Sequence, residues 1–327
     1  MNAFFRNALV YRLESGWRLD ADALDEQLAS MRFTPGTSVQ SQSAGWVPAI
    51  EHGRLAHAVG GQVLLTLRVE KKLLPASVVN QFARARAQEH EERQGYKPGR
   101  RQLREIKEAV TEELIPKAFS IFRDTRVWLD PVGGWLAIDT SSPARAEEVI
   151  GILSKSLDPF PLRPLQVRSS PAAAMTGWLT TDEPPAGFAI DQDAELQASG
   201  ESRAAVRFLR ESIDAADVRR HVAAGKRCTR LALTWNDRIA FVLTESLALK
   251  RIAPLDVLKE GDDDTADAAE RFDSDFSLMA GELSRLLGDL VEALGGPAKA
   301  SDPAGDAVRA IDDGAPSRAA AGEALPA

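Results

Sequence analysis

The segment Thr229–Glu245, TRLALTWNDRIAFVLTE, constrains the fold more than any other stretch of this chain. Leu231, Leu233 and Trp235 alternate on one arm and Ile239, Phe241 and Leu243 on the other, with Asn236 and Asp237 between them. Period-two alternation around a two-residue Asn-Asp turn predicts two antiparallel strands. The same reading extends to Asn7–Leu13, to the alternating Val63, Leu65, Leu67 and Val69, and to TRVWLDPVGGWLAIDTS, a strand pair turning at Gly133-Gly134.

Helical periods interleave with these strands. Asp20 is placed to cap a short helix carrying Leu24, Leu28 and Met31, and PARAEEVIGILSKSL carries Ala146, Val149, Ile150 and Leu153 on one side. After Pro75, Val78, Phe82 and Ala85 predict one face of a helix, which GYKPG breaks. Leu103, Ile106, Val110 and Leu114 resume the helical period until Pro116. A helical hairpin thus interrupts the strands. Thr34–Pro48 reads as loop with Trp46 as a core anchor, and Pro171 to about Gly200 as mostly loop with Trp178 and Phe188 as anchors. A helix is expected from about Asp214 to Ala224, then an acidic connection over Glu260–Asp275, then a final helix with its stripe from Phe276 to Leu294. The class is α+β. The parts expected are 1–74 together with 117–200, which read as a weak internal duplication; 75–116, the hairpin; 201–296; and a tail, 297–327, too poor in apolar residues to order.

With 327 residues, 44% of them apolar, the chain has enough material for a large core. It has no apolar run long enough for a membrane span, and its N-terminal apolar stretch is broken by Arg6, Asn7 and Arg12, so a cytoplasmic location is expected. The single cysteine, Cys228, forbids an internal disulfide. It reads as a small residue at a strand start, although Lys226, Arg227 and Arg230 would favour its thiolate. The four histidines, His52, His57, His90 and His221, form no metal-ligand spacing, His52 and His57 falling in a predicted loop. No phosphate-binding glycine loop or nucleophile motif is present, and the carboxylate pairs Glu91-Glu92 and Glu112-Glu113 fall on exposed helix faces. No enzyme and no cofactor is expected.

Two segments run against the net charge of −8. Phe82–Arg126 holds eleven Lys and Arg against eight Asp and Glu, and Glu201–Arg230 holds eight against four. Arg100, Arg104 and Lys107 fall at helical spacing beside the apolar stripe, next to a turn bearing Lys97. Such a stripe either presents donors to phosphates or is a solvated face laced with ion pairs, and charge alone leaves both open.

In order along the chain, FFRNALVYRL, LDEQLASMRFTPGTS, EELIPKAFSIF, VWLDPVGGWLAIDTSSPARAEEVIGILSKSL, HVAAGKRCTRLALTWNDRIAFVL and RFDSDFSLMAGELSRLLGDLVEALGG resemble the recombination-associated RdgC family, from about Phe4 to Gly296. The resemblance implies nucleoid-associated ring homodimers with centre, tip and base parts, the tip being the hairpin. It implies double-stranded DNA passing through a cationic hole without sequence preference, and competition with RecA for DNA. By position it assigns an inner-surface lysine to Lys226, a finger-like phenylalanine to Phe119, and a Lys-Gln pair to Arg210 and Glu211. Arg210 keeps the charge; Glu211 places an acid where the family has a neutral amide. Charge clustering adds Arg203, Arg207, Arg219, Arg220, Arg227 and Arg230. Lys97, Arg100 and Arg104 would serve either the rim of the hole or a subunit contact. A scaffold binding a recombination or replication protein directly is the competing expectation, from the net charge and the acidic run.

Overall fold

A computed structural model describes residues 4–14, 17, 20–160, 162–199, 204–211, 213–258 and 267–298. The expected tail beyond Ala298, Arg203 and most of the acidic run's first half lie outside the described residues. The chain divides into two compact units. One comprises the chain up to Pro164 with Asp237–Val242 and Leu247–Ser284; the other comprises Leu165–Asn236, Leu243–Ser246 and the chain from Arg285.

The first unit is an antiparallel sheet with helices. Its elements are β1 (Asn7–Leu13), α1 (Ala21–Ala29), β2 (Gln42–Val47), β3 (His57–Val59), β4 (Gln62–Lys72), α2 (Ala76–Gln94), α3 (Arg100–Leu114), a 3-10 turn at Ile115–Lys117, β5 (Ser120–Asp130), β6 (Trp135–Ile138), α4 (Pro143–Ser156) and β7 (Leu162–Pro164). The second unit supplies α5 (Pro171–Thr181), β8 (Phe188–Ala198), β9 (Ala205–Phe208), α6 (Ala215–Ala223) and β10 (Lys226–Trp235). The chain then continues through β11 (Ile239–Thr244), β12 (Leu249–Pro254) and α7 (Ala268–Ala293). The strand order is β2-β4-β5-β6-β1-β12 in the first unit, with β3 on β4 and β7 on β1, and β10-β8-β9 in the second. This is the mixed helix-and-strand class expected.

Register decides which side chains make the first unit's core. Leu65 lies opposite Val127, Val63 opposite Leu129, and Leu129 opposite Leu136. These residues share one face with Leu67 and Ile138, and Leu24 and Leu28 of α1 and Ala146, Val149 and Leu153 of α4 join them in one buried cluster. Asp20 caps α1, its carboxylate accepting from the Asp22 amide at 2.9 Å. Asn236 and Asp237 take φ of 47° and 52°, the left-handed pair that a two-residue hairpin turn demands.

Several expectations are corrected. Pro171–Gly200 is not mostly loop: it forms α5 and β8. The inward residues of α5, Ala172, Met175 and Leu179, include small side chains that blur the period, and β8 carries Asp and Gln on its outer positions. Phe188 is buried and Trp178 half-buried. Part of the loop read around Trp46 is β2; Trp46 is fully buried and its Nε1 donates to Ser156 Oγ at 2.9 Å. Helix α1 ends at Ala29, before Met31. The inward face of α2 is Val79, Ala83 and Ala87 rather than Val78, Phe82 and Ala85, and Phe82 is 46% exposed. Apolar residues lie on both sides of that helix, so only packing against α3 fixes its rotation. Helix α7 starts at Ala268, so the second half of the acidic run is helical, with Phe272 buried. His57 belongs to β3, not a loop; its Nε2 lies 2.8 Å from Asp273 Oδ1.

The turn between β5 and β6 is closed by Asp130, which is buried. Its Oδ1 accepts from the amides of Val132 and Gly133 at 3.1 and 2.8 Å and from Gln62 Nε2 at 3.1 Å, and its Oδ2 accepts from Ser284 Oγ at 2.8 Å. A methyl group on Gly133 would collide with Asp130 Oδ2 and would lie 2.8 Å from Trp135 Cδ1 and 2.9 Å from Ser284 Oγ. Gly133→Ala should therefore lower stability by about 2–4 kcal/mol, combining overpacking with disrupted buried hydrogen bonds. Urea unfolding followed by tryptophan fluorescence measures it; an unchanged midpoint would show that the turn yields freely.

Candidate nucleic-acid interface

The residues singled out in the sequence fall into separate groups. Lys97, Arg100 and Arg104 belong to the helical hairpin, where Gly95 closes α2 with φ of 78° and Gln102 Oε1 accepts from the Gly99 amide at 2.9 Å to open α3. Lys97 lines a shallow depression of about 650 Å³ with Arg84, Gln88, Glu91, Glu92 and Leu103. The face is laced in part with ion pairs. Arg101 pairs with Glu105 at 3.0 Å and Arg104 with Glu108 at 3.7 Å. Arg100 and Lys107 make no ion pair among the described residues and face solvent.

Phe119 sits between the 3-10 turn and β5 and is 83% exposed. Its carbonyl accepts from the Leu73 amide at 2.7 Å, and Ile121 lies opposite Lys71. Leu73, Phe119 and Ile121 therefore continue the sheet face that supplies Leu65, Leu67 and Val127 to the core, past the end of its cover.

The second unit sets three guanidiniums on one sheet face. Arg230 of β10 lies opposite Glu195 of β8, which lies opposite Arg207 of β9. Three strands in register thus set Arg, Glu and Arg in one row, with the outer two about 10 Å apart at roughly two inter-strand spacings. Arg227, opposite Gln197, occupies the next row on the same face. The side chains of Arg207, Arg227 and Arg230 are 63%, 56% and 52% exposed. The other face of these strands carries Ala194, Leu196 and Cys228, all buried.

Strand alternation separates residues that the sequence groups. Lys226 is adjacent to Arg227 in the chain but points to the opposite face, half-buried beside the end of α6, where Gly225 takes φ of 81°. Arg210 and Glu211 are exposed in the turn after β9; Arg210 has φ of 54° and its amide donates to Asp193 Oδ1 at 3.1 Å. Arg219 donates to the Thr180 carbonyl at 2.7 Å and Arg220 pairs with Asp217. Glu195 meets Arg230 only because β8 pairs with β10, and Glu245 meets Arg227 across the β10–β11 hairpin.

Among the described residues no three His, Cys, Asp or Glu side chains come together as a metal site, and no helix is long and apolar enough to cross a membrane. Cys228 is not activated by its cationic neighbours. Burial pushes its thiol up to about 12, and its Sγ lies 3.2 Å from the Arg230 carbonyl.

A profile of the RdgC family, described as "Putative exonuclease, RdgC", matches residues 3–297. The chain belongs to the RdgC family. A protein of Bordetella parapertussis named "Recombination-associated protein RdgC" is 61% identical over 294 residues, covering 90% of this chain and 98% of its own. One of Cupriavidus pinatubonensis with the same name is 61% identical over 298 residues, covering 91% and 100%. One of Herminiimonas arsenicoxydans, again so named, is 56% identical over 294 residues, covering 90% and 98%. The family is thus tied to recombination by name, and its profile to nuclease chemistry by description. The matched span, residues 3–297, runs through both compact units.

The buried thiol yields a direct expectation. At pH 8 the folded protein should react with a disulfide thiol reagent at least a hundredfold more slowly than a free cysteine, and at the free rate in denaturant. Fast reaction without denaturant would show that the start of β10 opens readily.

Proposed function

We propose that the chain binds duplex DNA without sequence preference, as a ring-shaped homodimer whose cationic inner wall surrounds the duplex. By occupying DNA it would limit the access of RecA and so modulate recombination and replication from within the nucleoid. One observation carries the DNA reading: an acidic chain of net charge −8 turns Arg207, Arg227 and Arg230 outward on one sheet face. Guanidinium forks match phosphate oxygens and, without groove-reading elements around them, position a backbone rather than read bases. An acidic remainder is compatible with this, because fields are felt locally at physiological salt.

The assignments of Lys226, Arg210, Glu211 and Phe119 rest on family position, and those of Lys97, Arg100 and Arg104 on exposure at the hairpin. The dimer draws support from the apolar group Leu73, Phe119 and Ile121, which is the composition a subunit contact uses. That group equally favours the competing reading, a scaffold for a recombination or replication protein. The reading contains no hydrolytic step, which sets it against the exonuclease description.

Fluorescence anisotropy with two unrelated duplexes and one single strand of equal length, across a salt series, tests the DNA reading. Both duplexes should bind alike, with log K falling by about 0.9 per phosphate contact against log salt. Lys226→Ala combined with Arg210→Ala should weaken both by the same factor, and the DNA should stay full length with magnesium present. Absence of binding at low salt would hand the lead to the scaffold, and shortened strands would restore the nuclease description. For the dimer, Phe119→Asp should shift sedimentation velocity toward monomer by placing a charge in an apolar contact. An unchanged sedimentation coefficient would remove Phe119 from the interface.

A further inference from the structure

We propose that Glu195 and Glu245 are built-in counter-ions that hold the DNA affinity of the arginine face below what its guanidiniums could reach. The inference rests on the DNA-binding reading above and deepens it. Glu195 Oε2 lies 2.6 Å from Arg207 Nε and 3.8 Å from Arg230 Nη1, and Glu245 Oε2 lies 3.3 Å from Arg227 Nη2. Three guanidiniums that would present +3 are thereby reduced to a local charge of about +1.

The geometry separates this from chance pairing on a surface. Glu195 occupies the central strand of the row, between Arg230 and Arg207, so the register alone sets it between two cations. Its side chain is only 13% exposed, far less than those of the two arginines that reach it. A β-bulge between Cys228 and Arg230 turns the intervening Thr229 so that its Oγ1 lies 3.3 Å from both the Glu195 carbonyl and Glu195 Oε1. The carboxylate is therefore held from its own strand and by Thr229, while the guanidiniums reach it from more exposed positions. Glu245 is tied to the same strand, its amide donating to the Thr229 carbonyl at 3.0 Å.

A carboxylate and a phosphate take the same fork of an arginine. DNA that approaches this face must share or displace the carboxylates. A tethered counter-ion cannot leave on binding, so the entropy gain that drives phosphate contacts is reduced, and the carboxylate remains close enough to repel the backbone. The arginine ends of these pairs are more than half exposed, so phosphate can compete for them while the carboxylates limit the affinity. The consequence is faster release of bound DNA, a property useful to a protein that must yield the duplex to others.

The test uses the full chain, two unrelated duplexes and anisotropy at roughly 0.1 M salt followed by a salt series. Glu195→Gln retains an acceptor for Thr229 and should bind both duplexes about tenfold tighter, with a salt slope steeper by about 0.9 for each additional phosphate neutralised. Glu245→Gln should bind about threefold tighter, since it releases one arginine rather than two. Adding Arg207→Gln and Arg230→Gln to Glu195→Gln should abolish the gain. If the unsubstituted chain binds no duplex, the DNA reading fails and this inference with it. If it binds, and Glu195→Gln binds equally or more weakly, the inference is overturned and Glu195 is a positioning residue for its arginines. Thermal unfolding verifies the fold of each variant. Should Glu195→Gln not fold, Glu245→Gln decides alone, and an affinity unchanged or reduced there overturns the inference as well.

Discussion

The first unit depends on one buried carboxylate. Asp130 takes two amides of its own turn, the side chain of Gln62 at the start of β4 and the hydroxyl of Ser284 in α7. A carboxylate buried this deeply is tolerable only because its oxygens are saturated with donors. In return it sets where β5 ends and β6 begins, and hence the register that places Leu129 against Leu136 and Val127 against Ile138. Shifting that register by one residue would turn the whole apolar row away from α1 and α4. The neighbouring Trp128 extends the network, its Nε1 donating to Gln62 Oε1 at 2.8 Å.

The same rule of register governs the second unit with charges in place of apolar groups. Arg207, Glu195 and Arg230 are distant in sequence and adjacent in space because β8 pairs with both β9 and β10. Lys226 and Arg227 are adjacent in sequence and separated in space because successive side chains of a strand point to opposite faces. A count of positive charge along the chain therefore overstates what one surface presents. It also misses the carboxylates that share that surface.

Among the residues that packing does not explain are the exposed Phe119 with Leu73 and Ile121, and the outward arginines of the β10-β8-β9 face. Phe119 is the kind of residue a core would absorb if it could, yet it stands at the end of the first unit's buried face with no cover.

Much of the fold was legible in the residues alone. Strict alternation identified β1, β4, β10 and β11, Asp20 announced the start of α1, and GYKPG split α2 from α3. These signals are local: each depends on dihedral preferences and periodicity within a few residues. The readings that failed depend on partners elsewhere in the chain. The polar residues of β8 disguise a strand whose buried side is only Phe188, Ala194 and Leu196, and α2 has apolar residues enough to face either way. The cationic segments, too, were visible as composition, and Arg207, Arg227 and Arg230 were named from it. The sequence by itself determined the class of fold, the main strands and helices, and which residue types crowd together. Only tertiary structure decided the rotation of α2, the burial that silences Cys228, and the row that sets Glu195 between two arginines, because strand pairing joins residues whose separation along the chain carries no local signal.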